Sequence, residues 1–217
     1  MTEHQQRLPE LGFVTANLPP SPARILEVGC GEGRLTSALI DLGYHAHGID
    51  PRAPDGPAFE RVQLEELRVD QPYDAAVAVV SLHHLHDLPL AVERLADAIA
   101  PGGLLVIDEF DRARLDPATT AWLWRQRQAL ATVGLGHAPD HATAEEHHAA
   151  LVDGLAAILT WDTVREALAA HFDERSCERV GYLYRYETHP ALQPLEQAMI
   201  DAGAVAATGV RYVGLRR

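Results

Sequence analysis

The chain contains no lysine, one asparagine and two cysteines in 217 residues. All 18 basic residues are therefore arginine, and 31 acidic residues give a formal net charge of −13. A surface of that sign repels phosphate, so we predict no nucleic-acid partner; the only basic cluster is Arg211, Arg216 and Arg217. Cys30 and Cys177 lack the spacing of a zinc or redox pair and are too few for a disulfide framework.

Long apolar runs are missing as well. The longest, residues 75–80, has the length of a strand, whereas a membrane-spanning helix needs about 20 apolar residues. Residues 1–7 include no apolar segment typical of a secretory signal. The sequence therefore predicts a cytoplasmic protein with no membrane partner, and it leaves the oligomeric state open.

Short apolar runs alternate with helical stretches over the first two thirds of the chain, which predicts an α/β fold with a doubly wound sheet. The predicted strands cover residues 24–28, 45–49, 59–62, 73–80, 104–110, 172–187 and 206–215. The predicted helices cover residues 34–42, 89–100, 117–133, 142–159, 161–170 and 190–202. We expect one domain over residues 1–217, with residues 111–171 as a helical insert or lid within it.

The insert is rich in histidine, which raises the alternative of a metal site. His137 and His141 are four residues apart, and Glu145 and His148 continue a helical spacing. However, Pro139 interrupts the first pair, and no closed set of ligands follows. A solvated helix face explains the pattern more simply, so we predict no metal.

A glycine-rich turn at residues 27–33 (Glu-Val-Gly-Cys-Gly-Glu-Gly) lies between the first strand and the first helix. Such a turn lets a ligand approach the backbone closely. Asp50 ends the second strand, 21 residues after Gly29, where it can accept both hydroxyls of an adenosine ribose. Glu27 and Glu32 would repel a pyrophosphate but suit a ligand with a sulfonium and an ammonium. The turn therefore favours S-adenosylmethionine, and a nicotinamide dinucleotide is the alternative.

These features resemble a class I S-adenosylmethionine-dependent methyltransferase. Residues 26–33 are similar to the first motif of that family, and residues 48–50, 59–67, 73–85 and 101–107 to later ones. The resemblance implies a Rossmann-like sheet of about seven strands with the last strand antiparallel, S-adenosylmethionine as cofactor, and methyl transfer to a small-molecule acceptor. The cofactor-binding residues that follow are Glu27, Gly29, Cys30, Gly31, Gly33, Asp50, Pro51, Gln63, Leu64, Glu65, Ser81 and Leu82.

Histidines follow the fourth strand, at the sheet edge where ligands bind in such folds. If the acceptor arrives protonated, we expect His84 to act as the base. The alternative is that these histidines only cap the following turn. His83 and His86 are further candidates for the substrate pocket, together with Tyr184 and Tyr186 from a predicted strand. A protein that binds the same nucleoside without methylating anything remains the second functional hypothesis.

Overall fold

The computed structural model describes residues 8–186 and 188–217. The strands are β1 (Arg24–Val28), β2 (His45–Ile49), β3 (Phe59–Glu60), β4 (Tyr73–Val79), β5 (Ile99–Phe110), β6 (Phe172–Val180) and β7 (Gly209–Arg216). The helices are α1 (Leu11–Asn17), α2 (Arg34–Asp41), α3 (Leu88–Ala98), α4 (Pro117–Thr132), α5 (Ala144–Gly154), α6 (Trp161–Leu168) and α7 (Gln193–Asp201). Within this part of the chain, no helix has both the length and the apolar character needed to cross a membrane.

The strands form one seven-stranded sheet in the order β3-β2-β1-β4-β5-β7-β6. β1 pairs in parallel with β2 and β4, and β4 pairs in parallel with β5. β7 runs antiparallel: the amide of Asp111, after the end of β5, donates to Thr208, just before β7 begins. The predicted sheet with an antiparallel last strand is confirmed.

The central strands are buried on both faces, as the near-continuous apolar runs predict. Ile25 of β1 and Val77 of β4 pack with Leu39 of α2 in one core. The next residues along the same strands, Leu26 and Ala78, face the opposite side and are also fully buried. Helices therefore have to cover both faces, which is the doubly wound arrangement.

The described residues divide into two compact units. The sheet unit comprises the described chain up to Glu109 with Asp162–Cys177 and Arg211–Arg217, and the helical unit comprises Phe110–Trp161 and Glu178–Val210. The helical unit includes α4, α5 and α7. Helix α6, which the sequence places in the insert, belongs to the sheet unit from its second residue, Asp162, onward.

Several boundaries differ from the predictions. The third strand is short, Phe59–Glu60 instead of residues 59–62, because the chain then turns into a 3-10 helix at Leu64–Glu66. The fifth strand begins at Ile99, so Gly102 and Gly103 lie within it rather than in a turn before it. Helix α1, whose Leu11 and Val14 are buried, was not predicted from the sequence.

The predicted strand over residues 172–187 is wrong for residues 181–186, and residue 187 lies outside the described residues. β6 ends at Val180, and Leu183–Arg185 form a 3-10 turn. The buried carboxylate of Glu196 on α7 explains the difference, because it accepts hydrogen bonds from the amides of Tyr182, Leu183 and Tyr184 at 2.7–2.9 Å. Three consecutive amides bound to one carboxylate cannot pair with a neighbouring strand.

Tyr182, Tyr184 and Tyr186 therefore do not share one face, as alternate residues of a strand would. The Arg185 guanidinium, which an extended strand would point away from them, lies over the rings of both Tyr182 and Tyr184. Its Nε also donates to the Tyr184 hydroxyl at 3.0 Å.

Candidate active site

A cavity of about 470 Å³ opens at the carboxyl ends of β1, β2 and β4. Four short segments line it: the glycine turn after β1, the residues after β2, the residues after β3, and the turn after β4. The lining residues are Val28, Gly29, Gly31, Ile49, Asp50, Pro51, Arg52, Val62, Gln63, Leu64, Glu65, Val80, Ser81, His84, Leu85 and His86. All of them belong to the sheet unit.

The glycine turn is held by its own amides. Gly29 and Cys30 donate to the carbonyl of Ile49, and Gly31 donates to Oδ2 of Asp50 at 3.2 Å. These amides are therefore already used within the fold, although a bound pyrophosphate would need such groups. This pattern weighs against the nicotinamide dinucleotide alternative.

Two glycines in the turn have different reasons to be glycine. Gly29 has φ +75°, and a Cβ there would lie 2.3 Å from the Cβ of Ser81, so the fold itself excludes a side chain. Gly31 has φ +51°, and a Cβ there would meet nothing within 4 Å. Gly31 therefore presents bare backbone to open space at the cavity, where a ligand can approach closely.

Asp50 stands at the end of β2 and lines the cavity. Its Oδ1 accepts from the Arg52 amide at 2.7 Å, and its Oδ2 accepts from Gly31. These two bonds fix the orientation of the carboxylate. A carboxylate has about four acceptor positions, so two are left for hydroxyl donors in the cavity.

Glu27 lies behind the turn rather than in the cavity wall. It is 4% exposed and accepts a short hydrogen bond from the Thr36 hydroxyl on α2. Burial raises the pKa of its carboxyl to about 7, although the bond from Thr36 opposes the shift. The same burial, with Glu27 nearby, raises the pKa of the Cys30 thiol to about 12, so this cysteine is a poor nucleophile.

The turn after β4 begins with strained backbone. Val80 has φ +50°, which is unfavourable for a β-branched residue, and it lines the cavity. Ser81 follows, with its hydroxyl donating to the Val28 carbonyl at 2.8 Å and its amide donating to Glu109. Strain of this kind occurs most often at ligand sites, where the rest of the fold holds it in place.

Three histidines follow, in different settings. His84 and His86 line the cavity, whereas His83 is 5% exposed behind it. His83 Nδ1 lies 2.5 Å from Oε1 of Glu109, and its Nε2 lies 3.0 Å from Nε2 of His84. Burial lowers the pKa of His84, and the neighbouring His83 lowers it further.

The structure thus brings together eight of the residues predicted to bind the cofactor: Gly29, Gly31, Asp50, Pro51, Gln63, Leu64, Glu65 and Ser81. Gly33 has a packing role instead, since a Cβ there would lie 2.4 Å from the ring of Phe59. Leu82 is buried, and its amide donates to Glu109. Tyr184 and Tyr186 belong to the helical unit, where Tyr184 is buried and the ring of Tyr186 stacks on Phe110.

Sequence reasoning missed Glu109 and Arg52. Glu109 is fully buried at the end of β5 and holds the turn after β4. Two adjacent carboxylates, Asp108 and Glu109, at the end of a mainly apolar strand were a usable signal, because buried acids need partners. Arg52 lines the cavity on the connection after β2, a segment with no distinctive pattern.

The histidine-rich segment shows no ligand cluster. His148 Nδ1 lies 2.9 Å from the Thr120 hydroxyl, and the rings of His141 and His147 lie 5.6 Å apart. Across residues 8–186 and 188–217, no group of three or more histidine, cysteine or acidic side chains is arranged to hold a metal ion.

The sheet with its antiparallel last strand, the glycine turn and the acid at the end of β2 define a class: the Rossmann-like, class I S-adenosylmethionine-dependent methyltransferases. A solved S-adenosylmethionine-dependent methyltransferase from Mesorhizobium loti has a TM-score of 0.61 at 18% identity, over 97% of this chain and 99% of that one. A 1,6-didemethyltoxoflavin-N1-methyltransferase from Burkholderia thailandensis, solved with S-adenosylhomocysteine and its substrate, has a TM-score of 0.57 at 18% identity, over 99% and 79%. At these identities the likeness establishes the fold.

Residues 1–199 match the family described as Methyltransferase domain, and the chain belongs to that family. A ubiquinone biosynthesis O-methyltransferase from Xylella fastidiosa is 31% identical over 118 residues, which cover 47% of this chain. The chain spans about half the length of this curated relative, 48%. The predicted family and S-adenosylmethionine as its cofactor are confirmed.

The residues present fit this cofactor. Gly31 leaves bare backbone at the cavity, Asp50 offers two free acceptor positions, and one polar and one apolar residue, Gln63 and Leu64, line the same cavity. The cavity has the size of a small-molecule site, about 470 Å³.

Proposed function

We propose that this protein transfers the methyl group of S-adenosylmethionine to a small-molecule acceptor whose nucleophilic oxygen or nitrogen carries a proton. The observation that supports it most is the placement of His84 in the wall of the cavity that also contains Gly31 and Asp50. A base at the cofactor cavity is useful only if the acceptor has a proton to lose.

Asp50 would bind the ribose hydroxyls, because its carboxylate is already oriented by two backbone amides. Gln63 and Leu64 would contact the adenine, and the methionine part would lie against the bare backbone at Gly31. Pro51 and Glu65 complete this wall of the cavity. When bound, S-adenosylmethionine supplies a methyl group on a positively charged sulfur.

His84 would take the proton from the acceptor. Its lowered pKa keeps the imidazole neutral at physiological pH, as a base must be. His86, on the same wall, would contact the acceptor. Alignment of the reactants can supply about 7–11 kcal/mol of the barrier reduction. The base therefore adds a smaller contribution to a reaction that depends chiefly on positioning.

The small-molecule class is supported by the relatives. One is named as a ubiquinone biosynthesis O-methyltransferase, and a structural neighbour is named as an N1-methyltransferase of 1,6-didemethyltoxoflavin. Both names describe methylation of small molecules. The net charge of −13 also disfavours a nucleic-acid acceptor.

The test is a product screen. The protein is incubated with S-adenosylmethionine and a panel of phenols, catechols and heteroaromatic amines, and S-adenosylhomocysteine and methylated product are measured by mass spectrometry. We expect product from at least one acceptor, with a lower kcat for His84→Gln. Binding of S-adenosylhomocysteine without product from any acceptor would favour the non-methylating alternative.

A further inference from the structure

The buried carboxylate of Glu109 connects to the cavity through two imidazoles. Glu109 is 0% exposed, and its Oε2 accepts from the amides of Ser81 and Leu82 at 3.2 and 3.1 Å. Its other oxygen, Oε1, lies 2.5 Å from Nδ1 of His83. His83 Nε2 in turn lies 3.0 Å from Nε2 of His84, at the cavity wall.

This chain of contacts determines where the protons are when both imidazoles are neutral. An ionised carboxylate only accepts hydrogen bonds, so Nδ1 of His83 must carry a proton and donate it to Glu109. The Nε2 of a neutral His83 is then a bare acceptor. His84 must therefore donate from its own Nε2, which leaves Nδ1 of His84 without a proton.

We infer that Glu109 and His83 are positioning residues that hold His84 in the tautomer whose Nδ1 is free to accept a proton. This inference rests on the proposed function for its catalytic consequence. The acceptor O–H or N–H bond breaks, its electron pair stays on the acceptor atom, and the proton forms a new bond to Nδ1 of His84. The imidazolium formed can pass its Nε2 proton to His83, which places the positive charge next to the buried Glu109 carboxylate.

A purely structural role for these histidines does not require the ring-to-ring contact. The 3-10 turn Leu82–His84 is already closed by backbone bonds, such as the His84 amide donating to the carbonyl of Ser81 at 3.2 Å. Glu109 alone anchors the two amides at the start of the turn. The His83–His84 contact is additional to these, and its chemical effect is to fix the tautomer.

Other charged groups also act on His84. Arg52 and His86 lower its pKa, as does His83, whereas Glu109 raises it. Arg52 and His86 both line the cavity. Both remain unchanged in a variant of Glu109, so a change of tautomer in such a variant reports on Glu109 and not on Arg52 or His86.

Glu109→Gln provides the decisive variant. The amide oxygen can still accept from Ser81 and Leu82, and the amide NH₂ then faces Nδ1 of His83. Two donors cannot form this bond, so Nδ1 of His83 must lose its proton and Nε2 must gain it. The bond to His84 reverses, and Nδ1 of His84 becomes protonated.

The measurement is nitrogen-15 NMR of the ring nitrogens in the protein without cofactor, with His83→Gln and His84→Gln used to assign signals. We expect wild-type His83 as the Nδ1–H form and His84 as the Nε2–H form, and both reversed in Glu109→Gln. Asp108→Asn is the matched control, because Asp108 is the neighbouring buried acid on β5 and pairs with Arg211 at 3.2 Å. Both tautomers should be unchanged there.

With an acceptor identified, Glu109→Gln should lower kcat about 100-fold, the scale of general-base catalysis, and leave KM for the cofactor nearly unchanged. Unchanged tautomers in a folded Glu109→Gln protein would overturn the inference while leaving the proposed function intact. If this variant fails to fold, wild-type His83 in the Nε2–H form would overturn it equally. Absence of methyl transfer from every acceptor would contradict the proposed function and leave the tautomer result valid.

Discussion

Glu27→Gln is expected to make the protein more stable at and above neutral pH and to change little in acid. Glu27 is buried behind the glycine turn, and burial raises the pKa of its carboxyl from 4.5 to about 7. Well below pH 4.5, the pKa of the unfolded chain, the Glu27 carboxyl is protonated in both the folded and the unfolded state and contributes nothing to the pH dependence of stability. As the pH rises, the unfolded chain loses this proton first, so the free energy of unfolding falls until the folded group has ionised as well.

The magnitude follows from the size of the shift. Each pKa unit corresponds to about 1.4 kcal/mol, so ionising Glu27 costs the folded state about 3 kcal/mol. About 2 kcal/mol of this loss in the free energy of unfolding occurs as the pH rises from 5 to 8. Glutamine has no charge to bury, and its amide oxygen can still accept from the Thr36 hydroxyl.

Urea unfolding followed by circular dichroism measures this difference at about pH 5 and about pH 8. The gap between wild type and Glu27→Gln should widen by about 2 kcal/mol at the higher pH. Glu32→Gln is the matched control, because Glu32 is the exposed acid of the same turn, and this variant should follow the wild type. Parallel curves for wild type and Glu27→Gln would refute the reasoning.

Further predictions concern the turn, α7 and the base. Gly29→Ala should destabilise the protein more than Gly31→Ala in thermal unfolding. Both variants incur about 1–2 kcal/mol of left-handed backbone strain, but only the Cβ at position 29 would meet Ser81, at 2.3 Å. Equal losses of stability would contradict this. Glu196→Ala should lower the free energy of unfolding by about 3 kcal/mol or more, since three amides lose their acceptor, and a loss under about 1 kcal/mol would be inconsistent. The methylation rate should fall only in acid, below pH 6.5, because the pKa of His84 is lowered from the ordinary histidine value of 6.5. His84→Gln should remove this pH dependence. A transition above pH 6.5 would argue against His84 as the base.

The sheet was predictable because its signals are local. Buried parallel strands such as β1 and β4 appear as apolar runs, and Gly29 with Asp50 marks the ends of two of them. The residues after β3, including Gln63 and Glu65, could be placed only through the family resemblance, and the structure puts them at the same cavity.

The misplaced elements depend on contacts distant in sequence. The residues around Tyr184 have a strand-like alternation, but the carboxylate of Glu196, twelve residues away, takes their amides and makes a turn. Likewise, the pairing of His83 with Glu109 joins residues 26 positions apart. Neither pairing is visible in a local pattern, because burial and hydrogen bonding between separate elements determine which residues meet.

Calorimetric titration with S-adenosylhomocysteine tests the central claim, that the cavity at the ends of β1 and β2 holds the cofactor. Wild type should bind it, and Asp50→Ala should weaken binding about 100-fold, because two hydrogen bonds to a carboxylate contribute about 3 kcal/mol or more. Asp55→Ala is the control: Asp55 follows on the same connection, its side chain is 94% exposed, and it pairs with Arg61. We predict that Asp55→Ala binds S-adenosylhomocysteine as tightly as wild type and that only Asp50→Ala loses affinity. No binding by wild type, or undiminished binding by Asp50→Ala, would contradict the claim.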